Sequence, residues 1–298
     1  MQLGLVAGLT AFSLAFTGTP ARAVEPNDTI IESIVLSPVS KHYEVNAGAS
    51  TSDTFKVIND GKVAYDFVVY ARPYSVSDES YQPDFISKPQ NADAYKWVQF
   101  DKPSYHIEPG QTIEVSYTIR VPKGSTPGGH YGVLFAETQS SGETQGNVVK
   151  RTKRVGAILY MTVKGDVRTG GSLVGVDVPF FQFNRPLTTA QRVKNTGNVD
   201  FAAKTSMRVY DLFGGQKFAT TREYPVLPQT TRRAVVEWPN ASWLGLYRVE
   251  LTTTFLDTKS SSTHYILLVP VWVYLTLGLL IGARVLYAVA QRKKSKKK

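Results

Sequence analysis

"QTIEVSYTIRVPKGSTPGGHYGVLFAET", Gln111–Thr138, alternates strictly over its first eleven residues. Ile113, Val115, Tyr117, Ile119 and Val121 fall on one face, and Thr112, Glu114, Ser116, Thr118 and Arg120 on the other. That period of two is the signature of a half-buried strand. A loop rich in Pro and Gly follows, then Gly-x-Tyr and a second extended run. "WPNASWLGLYRVELTTTF", Trp238–Phe255, has the same order of parts: Pro, polar loop, Gly-x-Tyr, strand.

The correspondence extends upstream. "FKVINDGKVAYDFVVYARPYS" in the first half aligns with "QRVKNTGNVDFAAKTSMRVYDLFG" in the second, each a strand, an Asn-containing turn and a long strand. "NDG" (Asn59, Asp60, Gly61) is a strong turn signal. No stretch between Val24 and His264 has sustained helical periodicity with caps. Strands at short spacing with turn-rich joints, written twice, predict an all-β chain of two tandem Ig-like β-sandwiches. Tyr131 and Tyr247 then fall near the start of a late strand, where such sandwiches place a tyrosine whose hydroxyl bonds back to the backbone. Both are expected to be structural. The first copy carries an extra segment, roughly Ser75 to Phe100.

The ends have a different chemistry. "LGLVAGLTAFSLAF" (Leu3–Phe16) followed by "ARA" (Ala21–Ala23) reads as a signal peptide, residues 1–23, with Val24 as the mature N-terminus, although no Lys or Arg precedes the apolar run. "YILLVPVWVYLTLGLLIGA" (Tyr265–Ala283) carries no charge and is long enough to cross a bilayer of about 30 Å as a transmembrane helix. Arg284 can snorkel to the interface, and Pro270, one turn in, is tolerated in a span. "RKKSKKK" (Arg292–Lys298) follows as a basic stop-transfer tail. The positive-inside rule places that tail in the cytoplasm and Val24–His264 outside.

These segments also explain the charge. The chain of 298 residues has a formal net charge of +10, but eight basic residues lie in the two end segments. The remaining body holds 26 basic against 24 acidic residues. Such a body is a poor phosphate binder, which argues against nucleic acid. No cysteine is present, which excludes disulfides, thiolate metal sites and Cys nucleophiles.

The expected organisation is a signal peptide at 1–23, a first Ig-like domain at 24–140 and a linker at 141–154. A second Ig-like domain follows at 155–260, with "VGAILYMTV" (Val155–Val163) as its first core strand, then a span at 265–290 and a tail at 291–298. "QSSGETQGNVVKRTKR" (Gln139–Arg154), rich in Ser, Gly and charge, marks the joint.

"WVQF" (Trp97–Phe100), "YHIEPGQ" (Tyr105–Gln111), "VPKGSTPGGHYGVLF" (Val121–Phe135), "NTGNVDF" (Asn195–Phe201) and "VLP" (Val226–Pro228) together resemble bacterial WxL-interacting surface proteins. The first half resembles their peptidoglycan-binding domain. The second half is more similar to the generic Ig-like repeat of bacterial surface proteins. The resemblance implies a non-catalytic, membrane-anchored surface protein that binds peptidoglycan or another surface protein. The strand–NDG–strand pattern is also similar to the N-terminal domain of pilus chaperones, which implies pairing of a free strand edge with a partner's strand. A third reading is an accessory subunit of a membrane complex.

Motifs for catalysis are missing from the sequence. His42, His106, His130 and His264 have no metal-ligand spacing. "GSTPG" (Gly124–Gly128) precedes a strand and reads as a turn, not a nucleophile loop. No enzyme and no cofactor are expected. The candidate ligand-binding residues lie in the insert: Tyr74, Tyr81, Tyr95 and Trp97, either an aromatic recognition face or a solvated loop pinned by a buried Trp97. Asp78, Glu79, Asp84 and Asp93 beside them could offer oxygen ligands to Ca²⁺, but their spacing matches no known loop and no metal is expected. Lys150, Arg151, Lys153 and Arg154 are candidate contacts to an acidic polymer, or a solvated linker. "NDT" (Asn27) and "NAS" (Asn240) are formal glycosylation sequences.

Overall fold

A computed structural model describes residues 33–139, 152–241 and 244–295. The signal-peptide reading, Lys150 and Arg151 lie outside the described residues.

The first half contains β1 (Val35–Ser37), β2 (Ser40–Val45), β3 (Ser50–Ile58), β4 (Tyr65–Pro73), the short β5 (Ser75–Val76) and β6 (Pro83–Asp84), a 3-10 turn at Ala94–Trp97, β7 (Val98–Phe100), β8 (Ser104–Ile107), β9 (Thr112–Arg120), β10 (Gly128–Gln139) and β11 (Arg154–Val163). Two sheets, ordered β1-β3-β9-β7 and β2-β11-β10-β4-β8, face each other. The alternation of β9 works as expected: Val115, Tyr117 and Ile119 are buried between the sheets with Phe55, Phe67, Ile107, Leu134, Leu159 and Met161. Burying an aliphatic or aromatic side chain of this size contributes roughly 1.5–3 kcal/mol.

The second half contains β12 (Gly171–Asp177), β13 (Phe181–Gln182), β14 (Leu187–Asn195), β15 (Phe201–Tyr210), β16 (Gln216–Val226), β17 (Thr231–Trp238), β18 (Gly245–Phe255) and β19 (Thr258–Leu268). Its sheets are β12-β14-β17 and β13-β19-β18-β15-β16. The two halves follow one plan. In each, the first strand pairs antiparallel in one sheet, and the chain then crosses to lie parallel to the last strand of the other: β1 with β3 and β2 with β11, β12 with β14 and β13 with β19. The fold is all-β, two Ig-like sandwiches, with one apolar C-terminal helix.

The repeat is exact in its turns. Asn59 Nδ2 donates to Val63 O at 2.8 Å, and Asn59 Oδ1 accepts from Gly61 N–H at 3.0 Å. Asn195 Nδ2 donates to Val199 O at 2.8 Å, and Asn195 Oδ1 accepts from Gly197 N–H at 2.8 Å. N-x-G-x-V therefore encodes the same buried Asx turn in both copies.

Two boundaries are corrected. Val155–Val163 was expected to open the second domain, after a linker at 141–154. It belongs instead to β11, which pairs antiparallel with β10 (Glu137 opposite Arg154 through Gly128 opposite Val163) and parallel with β2. It is the last strand of the first sandwich, the counterpart of β19. The Ser/Gly-rich stretch interrupts a hairpin whose second-domain equivalent closes tightly between Phe255 and Thr258, so its composition imitated a linker. The passage between sandwiches is 164–170.

The second correction concerns the span. Tyr265–Leu268, expected inside the membrane, are strand: they pair with Gly245–Arg248 of β18, and Ile266 and Leu268 are buried in the second core. The apolar run passes from strand to helix without a break in composition. Pro270, which lacks an N–H, separates the two, and α1 covers Val271–Ser295. α1 is long and apolar enough to cross a membrane, and none of Val271–Ala288 is buried.

Candidate functional site

The insert after β4 turns its aromatic residues inward. β10 carries Tyr131, Val133 and Phe135 on its outer face, and β11 carries Ile158 and Tyr160 beside them. Tyr74, Val76, Tyr81 and Phe85 cover this second apolar face, so nearly all of β10 is buried. Tyr74 packs at 6.3 Å from both Phe85 and Tyr160. Trp97 is in the core proper and lies 4.7 Å from the His130 ring. His130 is buried with both ring nitrogens engaged, Nδ1 with Asp93 at 2.7 Å and Nε2 with the Thr126 carbonyl at 2.8 Å. Burial works to lower its pKa, but the Asp93 carboxylate and the Thr126 carbonyl outweigh it and hold the pKa above the ordinary value.

Tyr81 reaches further, into the second sandwich. Its hydroxyl accepts from Leu227 N–H at 2.8 Å and bonds Thr230 Oγ1 at 2.5 Å, and the Arg232 guanidinium lies 4.3 Å from its ring centre. Next to it the Glu79 carbonyl accepts from Arg233 N–H at 2.7 Å, and the Glu79 carboxylate pairs with Arg192 at 2.8 Å. A second joint forms around the repeated turn. Asn198 O accepts from Gly129 N–H at 2.7 Å, and Arg168 N–H donates to Asn198 Oδ1 at 2.7 Å. A Cβ at Gly128 would lie 2.6 Å from Asn198 O, so only glycine admits this approach. "GSTPG" is therefore a turn that leads into a strand, as expected, and Gly128 and Gly129 at the start of β10 also dock the second sandwich.

Tyr131 follows the expected position but not the expected partner. Its ring folds back over Gly129, while its hydroxyl bonds Asp200 of the other sandwich at 2.9 Å. Burial raises the pKa of both groups above their ordinary values. Tyr247 folds over Gly245 in the same way and packs against Trp238 at 5.3 Å.

Of the four insert aromatics, then, Tyr74, Tyr81 and Trp97 are buried in packing contacts. Tyr95 is half-buried and lines a recess of 710 Å³ with Arg72, Phe85, Ile86, Lys88 and Arg154. Arg154 lies 4.6 Å from the Phe135 ring centre and 5.9 Å from that of Phe85. The recess thus brings together one aromatic and one basic residue that sequence reading had placed in separate groups. It adds Arg72 and Lys88, which sequence reading missed. Its one acid, Asp84, uses its carboxylate to cap the Ile86 and Ser87 N–H groups. Lys153 stands beside the recess strand, its backbone joined to Thr138.

The acidic insert residues do not converge on a cation. Asp78 caps a turn at Ser80, Glu79 pairs with Arg192, Asp84 caps its own turn and Asp93 holds His130. Among the described residues no group of three or more such side chains is placed to hold a metal ion.

The strand that carries Arg154 has an open flank. β2 pairs with β11 only from Ile158 to Val163. Ile158 N–H points toward that side, to Val39 O, whereas Lys153 O points to Thr138 on β10. Alternation along a strand then directs the N–H and C=O of Arg154 and Gly156 outward. Among the described residues no strand pairs with 154–157 on this flank. Gly156 has no side chain because a Cβ would meet Phe135 and Val133 at 2.8 Å.

No protein-family model and no curated protein matches the chain. Among solved structures it is similar to the class 5 fimbriae chaperone CfaA, with 12% identity over 80% of this chain and 100% of that one and a TM-score of 0.40. The Salmonella enterica SafA pilin–SafB chaperone complex matches with 12% identity, 80% and 97% coverage and a TM-score of 0.40. The CsuC–CsuE pre-assembly complex of Acinetobacter baumannii gives 12%, 78% and 98%, and 0.39.

Proposed function

We propose that this chain is a non-catalytic, single-pass envelope protein that binds a partner protein by strand addition to the first sandwich. α1 is its anchor, with the sandwiches outside and the basic tail in the cytoplasm. The observation that carries this reading is the open flank of β11 at Arg154–Ala157 beside a recess lined by Arg72, Lys88 and Arg154. An extended partner segment there gains main-chain hydrogen bonds from Arg154 and Gly156, and an acidic or C-terminal carboxylate group on it faces three cations. Gly156 permits close backbone approach. A second reading keeps the implied peptidoglycan ligand: the same cations and Tyr95 suit a carboxylate-bearing glycopeptide.

The test is a photocrosslinking amino acid placed at Arg154 of the full chain in its native cells. A discrete protein adduct at 154, absent when the probe is at the exposed Lys204 of the second sandwich, supports strand addition. Adducts only to wall polymer favour the second reading. No adduct at 154 overturns both.

A further inference from the structure

The second sandwich has one end that is unlike the rest of its surface. Each of the four exposed phenylalanines among the described residues lies there: Phe180, Phe181 and Phe183, 51–53% exposed, and Phe213, 98% exposed. Leu212 and Leu244 are exposed with them. Three separate loops deliver these side chains. β13 carries Phe181 opposite Leu267, at the end of β19. β15 runs toward the same end, because Tyr210 pairs with Arg248 and β18 begins three residues further on, at Gly245 opposite Leu268. The β15–β16 turn therefore projects Leu212 and Phe213 past the end of the sheet. Leu244 immediately precedes Gly245.

This end is also where α1 begins. Only Val269 and Pro270 separate β19 from α1, and two residues reach at most about 7 Å. Phe183 touches Tyr274 of the first helical turn, ring centres 5.6 Å apart. The loops are thus level with the first turn of α1.

The helix itself is short of uncharged length. Val271–Ala283 is 13 residues before Arg284, a rise of about 20 Å, against a hydrocarbon core of about 30 Å. Snorkelling of Arg284 recovers part of the difference. The apolar end of the sandwich can supply the rest.

We propose that the exposed apolar end of the second sandwich, formed by Phe180, Phe181, Phe183, Leu212, Phe213 and Leu244, is a membrane-docking surface that inserts into the headgroup and upper acyl region of the bilayer that α1 crosses. The proposal rests on the reading of α1 as a span. Aromatic and aliphatic side chains at that depth exchange water for lipid. The sandwich is then held against the membrane by three loops as well as by its tether, which limits its rotation about the short connection.

The chain has no cysteine, so single probes can be placed cleanly. The full chain is reconstituted in phosphatidylcholine–phosphatidylglycerol vesicles with an environment-sensitive fluorophore at Leu212→Cys, Phe180→Cys, Leu279→Cys in mid-helix, or Ile86→Cys in the first sandwich. We expect lipids spin-labelled near the headgroup to quench the probes at 212 and 180 at least two-fold more than the probe at 86. Lipids labelled deep in the chain should quench the probe at 279. Deep quenching at 279 with no more than the residue-86 level at 212 and 180 overturns the docking surface while the span stands. A blue-shifted but unquenched probe at 212 and 180 also overturns it, by showing a second copy on that surface. No deep quenching at 279 removes the span and the proposal with it.

Discussion

The hydroxyl of Tyr131 donates to Asp200 Oδ1 at 2.9 Å and accepts from Asp200 N–H at 3.1 Å. One buried tyrosine of the first sandwich thereby closes a two-bond ring on the backbone and side chain of the second. Its counterpart Tyr247 has the same fold over a glycine but stays within its own core. A repeated motif has been put to different uses in the two copies.

Tyr131→Phe should therefore be costly. It leaves a half-buried carboxylate and a backbone N–H without their partner, at about 1–3 kcal/mol for such a loss. Tyr247→Phe should cost clearly less. Denaturant unfolding of the two variants checks the difference.

Gly129→Ala and Gly245→Ala probe the same pair from beneath. An added Cβ would sit 2.0 Å from Tyr131 Oη and 2.7 Å from Tyr247 Oη. Both overpack, typically at 1–3 kcal/mol. Gly129→Ala should be the worse of the two because it must displace the ring that holds Asp200. The shift in thermal midpoint orders them.

Tyr81→Phe should loosen the joint made by the insert. Its hydroxyl is the acceptor for the buried Leu227 N–H, and losing it costs about 1–3 kcal/mol. Protease cleavage between 164 and 170 should accelerate in this variant, while a conservative change at the half-exposed Tyr95, Tyr95→Phe, should leave the rate unchanged.

His130 gives the stability a pH dependence of known sign. Its folded pKa is raised above the ordinary value because both ring nitrogens face acceptors, Asp93 and Thr126 O. The stability it contributes is fully present below the unfolded pKa, about 6.5, and is lost as pH rises through the folded pKa. The stability difference between wild type and His130→Gln should shrink across that window. A difference that grows with pH would show a neutral imidazole in the folded state.

Much of the fold is written in local patterns. The alternation of Gln111–Val121 fixed a strand because one face needs a core, and N-x-G-x-V recurs because the Asx turn needs Asn at its first position and Gly two residues on. The placement of β11 was not legible. A hairpin interrupted by a Ser/Gly-rich stretch has the composition of a linker, and only pairing with Gly128–Glu137 distinguishes the two. The insert was legible as an insert, and its buried Trp97 was anticipated. The inward turn of Tyr74 and Tyr81 depends on the second apolar face of β10, visible in sequence only as Tyr131, Val133 and Phe135 on the face opposite Leu134 and Ala136. One signal went unused. Where the copies share N-x-G-x-V, Lys62 and Ala64 of the first become Asn198 and Asp200 of the second, the two positions that build the joint. Arg72 and Lys88 carried no signal, because the wall of a recess is assembled from separate segments, and an isolated cation on a strand or loop looks like any solvated one.

The central claim is the open flank of β11. Residue-resolved amide hydrogen exchange on the isolated full chain tests it most directly. Ala157 N–H, directed to β10, should be strongly protected, and Gly156 N–H, directed outward, should exchange orders of magnitude faster. Equal, strong protection of both amides would show the flank already covered and would contradict the account.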